Sequence, residues 1–216
     1  MIKKINATLS EKLILIFLLA LAIFAFSFTV LIKNKCLFVK NLDPQKINFD
    51  KPKNIVVLNV ECGNVIIELY PELSPKAVDR FITLIKSNSY DDVAFHRVIK
   101  NKLIQAGDLE FGKKNKLNYG KIGTGKSGLG TISSEIDAEF DYKKGSVGLA
   151  RNLKYNTEDS QFFIILDDEP LFEGEYTPIG KVIYGIKILE KIKYSHRSEY
   201  VLRPDFINTI RMYRIN

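Results

Sequence analysis

Residues 93–108, VAFHRVIKNKLIQAGD, set an arginine among apolar residues and a glutamine eight positions after it. Alternation across Ala94, Phe95, His96, Arg97, Val98 and Ile99 fits a strand whose successive side chains point to opposite faces, so Phe95 and Arg97 share one face. A second short apolar run, Leu103, Ile104 and Gln105, continues toward Gly107. Arg97 is a permanent cation with several hydrogen-bond donors, and it begins a pocket that the rest of the chain must complete.

Other candidate chemistries lack the context they need. Residues 120–127, GKIGTGKS, spell a phosphate-binding loop, and residues 162–167 resemble the apolar run ending in aspartate that accompanies one. That mechanism requires a buried strand before the loop and a helix after it, so that backbone amides converge on phosphate. Here Lys113, Lys114, Asn115 and Lys116 precede the loop, and Gly128 and Gly130 follow it. The overlapping dinucleotide fingerprint at Gly123, Gly125 and Gly128 fails for the same reason, so no nucleotide is expected. His96 and His196 carry no spacing of metal ligands, and no Ser/His/Asp order stands out; neither metal nor cofactor is expected. Asp167, Asp168 and Glu169 read as a solvated acidic loop.

The elements that must position Arg97 read mainly as strands. Residues 55–60 and 65–70 are β-branched runs separated by Glu61, Cys62, Gly63 and Asn64, a hairpin pattern. Ser74 and Pro75 supply an N-cap and a first-turn proline, and Ala77, Val78, Phe81, Ile82 and Ile85 recur at helical spacing. Further strands are expected at 146–150, 161–166, 179–182 and 206–213, with a short helix over 185–192. Many short strands with few helices predict a mainly β fold closed into a barrel, which leaves no sheet edge exposed.

Ahead of this body lies a different kind of segment. Residues 13–32 hold twenty residues without a charge, bracketed by Lys12 and Lys33. At about 1.5 Å per residue they span roughly the 30 Å of a bilayer core. We read residues 1–12 as a flank, 13–32 as a single-pass transmembrane anchor, 33–53 as a polar tether and 54–216 as the globular domain. A cleaved signal peptide is the rival reading, with Ala25 and Ser27 at the cleavage site, but it leaves the apolar stub 28–32. Lysines flank both ends, so charge does not decide orientation; the outer, periplasmic face of an inner membrane is expected because long segments translocate largely regardless of charge. Cys36 and Cys62 allow either a disulfide or two thiols. Of 32 basic and 25 acidic residues, 8 and 3 precede Pro52, so the basic excess belongs to the arm. The body carries no surplus for nucleic acid.

An ordered set of short stretches resembles the cyclophilin-type peptidyl-prolyl cis/trans isomerases. They are FHRVI at 95–99, QAGD at 105–108, GTGKSG at 123–128, EF at 139–140, GSVGLAR at 145–151, SQFFI at 160–164 and FEGEYTPIGKVIYG at 172–185. The resemblance implies an eight-stranded antiparallel β-barrel capped by two α-helices, acting as a monomer on proline-containing polypeptides. By the same resemblance Arg97 is the catalytic cation, with Gln105 orienting the substrate carbonyl or holding Arg97, and Gln161 fixing that network. Phe163, Leu103 and Phe172 would line a proline pocket beside Tyr176, which stands where animal members have histidine. Ala150 and Arg151 would offer backbone bonds to the residue before proline. The chain departs from the family at Asn101 and Lys102, which replace glycine and a pocket phenylalanine, and at Leu171, which replaces a drug-contacting tryptophan. Ala106, Tyr155 and Asp159 replace glycine, proline and glycine. A module of this fold that binds proline segments with weak turnover is the competing reading.

Overall fold

The computed structural model describes residues 8–214. It divides into two compact units, one ending at Phe38 and the other beginning at Val39. In the first, Thr8 caps helix α1 (Leu9–Lys33): its hydroxyl accepts from the Glu11 amide, and the Glu11 carboxylate accepts from the Thr8 amide. Residues 9–31 of this helix are long and apolar enough to cross a membrane.

The second unit is built on one eight-stranded sheet whose ladders are antiparallel. Its strands are β1 (Ile55–Val60), β2 (Gly63–Leu69), β3 (Arg97–Ile99), β4 (Leu103–Ala106), β5 (Ser146–Leu149), β6 (Phe162–Ile165), β7 (Pro178–Tyr184) and β8 (Thr209–Met212), with helices α2 (Pro75–Lys86) and α3 (Ile186–Leu189). The order is β3-β4-β6-β5-β7-β2-β1-β8, an open series with β3 at one end and β8 at the other. Closure was the expectation; instead β3 meets the segment before β8 through single contacts, such as Val98 N to Glu199 O at 2.7 Å and an isolated Arg97–Tyr200 bridge.

Helix α2 is amphipathic and buries Ala77, Val78, Phe81, Leu84 and Ile85. Phe81 packs edge-on against Phe162 of β6 and beside Tyr90, with ring centroids 5.2 Å apart in both cases. A buried aromatic of this kind contributes about 3 kcal/mol by area. Ser74 occupies the N-cap position without capping, because its hydroxyl donates to the Pro178 carbonyl. The Glu135 carboxylate does that work, accepting from the amides of Lys76 at 3.2 Å and Ala77 at 2.9 Å.

Several elements are shorter than expected, for a common reason. Residues 94–96 read as strand, yet Ala94 donates to Gly112 and Phe95 to Asp205, both loop carbonyls, so only Arg97–Ile99 enters a ladder. Near the other end, Ile207 exchanges bonds with the 92–93 loop before β8 begins. Within the second unit, part of the stretch read as a tether makes contacts: Asn41 Oδ1 accepts from the Asn64 amide, and Phe49 packs edge-on against Tyr213. Neither cysteine is a free thiol.

Candidate active site

Strand register brings the candidate residues to one face. Arg97 pairs with Gln105 across β3–β4, Gln105 with Phe163 across β4–β6, and Phe163 with Gly148 across β6–β5. Adjacent side chains on a strand point opposite ways. Phe162 therefore turns to α2, and Phe163 turns to the face that carries Arg97.

A polar relay crosses this face. Arg97 Nη1 donates to Gln105 Oε1 at 3.2 Å, Gln105 Nε2 donates to Gln161 Oε1 at 2.9 Å, and Gln161 Nε2 donates to the carbonyls of Gly123 and Gly125 at 3.0 and 3.1 Å. Glu199 holds the guanidinium from the other side, accepting from Nε at 2.7 Å. Sequence reasoning missed Glu199, which lies 102 residues beyond Arg97 in a segment without periodicity. The guanidinium is held in place while about a third of the Arg97 side chain stays exposed.

Beside the relay is an aromatic floor. Leu103, Tyr142, Phe163 and Ile165 form a buried cluster, against which Ala150, Phe172 and Tyr176 pack. Phe172 and Tyr176 lie 4.5 Å apart, and each lies 5.2 Å from Phe163. Gly148 admits Phe163, because a Cβ there would stand 2.5 Å from its ring. Tyr142 donates to the Tyr176 carbonyl, and burial pushes its phenol well above the ordinary range.

Arg151 joins this floor through its side chain. Its guanidinium lies 5.0 Å from the Tyr176 ring and 4.3 Å from that of Tyr155, and it donates to the Glu175 carboxylate at 2.7 Å. The Ala150 amide already donates to the Gln161 carbonyl, so a substrate bond there must use the Ala150 carbonyl.

Two candidates stand apart. Lys102 is exposed and reaches Glu169 at 3.5 Å rather than the cluster, and Leu171 is 81% exposed. Asn101 adopts φ 58°, the left-handed conformation that glycine would adopt most easily.

The glycine-rich loop has no helix after it, and carboxylates occupy its amides. Asp108 Oδ2 accepts from Gly123 at 2.7 Å and Gly125 at 3.0 Å, and Asp159 accepts from Ser127 at 2.8 Å. A Cβ at Gly125 would collide with the Asp108 carboxylate, which explains that glycine without a phosphate. His96 is buried, and its nitrogens meet no partner among the described residues. No metal-binding group of His, Cys, Asp or Glu occurs among those residues.

The family model for cyclophilin type peptidyl-prolyl cis-trans isomerases matches residues 55–213. A probable peptidyl-prolyl cis-trans isomerase of Brucella suis is 40% identical over 159 residues, covering 72% of this chain and 81% of that protein. The peptidyl-prolyl cis-trans isomerase-like 3 of Gallus gallus is 35% identical over 154 residues, covering 69% and 88%. A Cryptosporidium parvum cyclophilin crystallised in the presence of the dipeptide Ala-Pro superposes with a TM-score of 0.64 at 29% identity, covering 74% of this chain and 99% of that one.

Proposed function

The chain belongs to the cyclophilin-type peptidyl-prolyl cis-trans isomerase family, and on that premise we propose that Arg97, held between Gln105 and Glu199, is the group that catalyses rotation about X-Pro bonds. The enzyme is an isomerase acting on proline-containing peptides. The single observation that carries the residue assignment is the two-sided restraint of one guanidinium beside an aromatic floor.

The barrier is about 20 kcal/mol, because resonance makes the C–N bond partly double. In the twisted state that resonance is lost and the nitrogen becomes pyramidal, its lone pair localised instead of shared with the carbonyl. A hydrogen bond donated to that lone pair stabilises the twisted state over both planar ones, so no nucleophile need form a bond. Arg97 directs Nε to Glu199 and Nη1 to Gln105, and Nη2 makes no bond to another described residue. Nη2 is therefore the donor assigned to the substrate. Phe163, Phe172 and Tyr176, with Leu103 beneath, grip the proline ring, and Gln105 and Gln161 hold the register between cation and ring. The Ala150 carbonyl and the Arg151 backbone take the residue before proline. Lys102 and Leu171 act at the rim.

Helix α1 anchors this domain to a membrane, with the domain on the outer, periplasmic face. Its length and apolar composition support the anchor. Protease added to sealed vesicles of known orientation tests the side: digestion in right-side-out vesicles is expected, and protection there contradicts it. Isomerisation of an Ala-Pro peptide by wild type and Arg97→Ala tests the catalytic assignment.

A further inference from the structure

The loop at 123–130, whose amides mimic a phosphate site, has a use that follows from what holds its two ends. At one end Gly123 and Gly125 accept from Gln161, which ties the loop to the Arg97–Gln105–Gln161 relay. At the other, Asp159 accepts from the Ser127 amide and hydroxyl, while Arg80 donates to the Gly130 carbonyl at 2.6 Å and the Leu129 carbonyl at 3.3 Å. Arg80 and Asp159 are themselves paired at 2.7 Å, with side chains only 13% and 6% exposed. Arg80 belongs to α2, whose neighbouring Phe81 is packed into the core.

Residues 123–126 of the loop form one wall of a cavity whose other lining residues include Gln105, Ala150, Asp159 and Gln161. Glycine-rich backbone loses much conformational entropy when fixed, so such a wall keeps its shape only if outside groups restrain it. Ala150, the backbone assigned to the residue before proline, lines the same cavity. We propose that Arg80 and Asp159 are positioning residues for the substrate segment that precedes the proline, acting through this loop rather than on the rotating bond. The proposal rests on the assignment of Arg97 and the aromatic floor as the reaction site.

Its test uses the full chain in mild detergent and two peptides, one with a single residue before proline and one with several. With Asp159→Asn and Arg80→Met, KM for the longer peptide is expected to rise about tenfold at unchanged kcat, while the short peptide stays within about twofold of wild type. Equal changes on both peptides, or none on either, would overturn the proposal. Removing one member of a buried pair strands the other, so a single variant that fails to fold is replaced by Arg80→Met/Asp159→Gly, which leaves neither charge. The same length-selective rise is expected there; an unchanged KM, or loss of fold in the double variant too, would assign the pair to stability alone. Arg97→Ala on both peptides separates the two readings. If it leaves catalysis intact, the site assignment fails; if it abolishes catalysis while the pair variants show no length selectivity, only the positioning role fails.

Discussion

Arg97 and Gln105 face each other across the β3–β4 ladder, and the guanidinium donates to the amide oxygen at 3.2 Å. The ladder register therefore fixes the cation against the residue that relays to Gln161. Gln105→Ala leaves Arg97 held on the Glu199 side only. It is expected to lower kcat by about tenfold with little change in fold, because a positioned donor loses one of its two restraints. Circular dichroism beside exchange NMR checks both halves of that statement.

Glu199→Gln tests the opposite side of the same guanidinium. The carboxylate is about half exposed, so its effect on stability is expected to be small, whereas its effect on catalysis follows from the aim of Arg97. A fall of several-fold in kcat with unchanged melting temperature is expected, and wild-type kcat should decline with salt more steeply than that of the variant.

Arg151→Lys separates charge from shape. Lysine can still reach Glu175 but cannot present a flat guanidinium to Tyr155 and Tyr176. KM is expected to rise about fivefold with kcat preserved, because the variant loosens a wall of the proline pocket and leaves the donor to the twisted bond in place. A lysine variant with wild-type KM would remove the stacking from the account.

Lys102→Phe returns an aromatic to the rim of the pocket. Lys102 is exposed and its contact with Glu169 is long, so little is lost with the charge. An increase in kcat/KM is expected in the purified variant; an unchanged or lower value counts against an open rim at this position.

Acid should destabilise the domain through His96. Burial lowers its pKa, opposed in part by Asp108, so the folded state holds the ring neutral while the unfolded chain protonates at about 6.5. The unfolded state then binds more protons, and stability falls as pH drops below that value. The melting temperature of wild type is expected to fall between pH 7 and pH 5 by more than that of His96→Phe.

Strand alternation made Arg97 legible as one face of a short strand, because β side chains alternate in steps of two, but its meeting with Gln105 and Phe163 depends on ladder registers that alternation does not fix. The family resemblance supplied their roles. What stayed hidden depends on contacts between distant loops. Glu199, Asp108 and Glu135 each satisfy a group far along the chain, and no local pattern announces a carboxylate that will cap another segment's amides. The closed barrel was inferred from strand number, but a sheet closes only if its end strands form a ladder, and β3 is too short to do so with the segment before β8. The phosphate-loop spelling shows the converse: a glycine needed for the approach of Asp108, Gly125, imitates one needed for phosphate.

The most direct test is exchange NMR on a short Ala-Pro peptide with the full chain, wild type beside Arg97→Ala. Residues 41–49 are bonded to the body, so a truncated domain would remove part of what is being tested. Wild type is expected to accelerate cis/trans exchange, and Arg97→Ala to lose about a hundredfold of that acceleration while remaining folded. A folded wild type that accelerates nothing, or an Arg97→Ala variant as fast as wild type, would contradict the assignment of Arg97 to the twisted X-Pro bond.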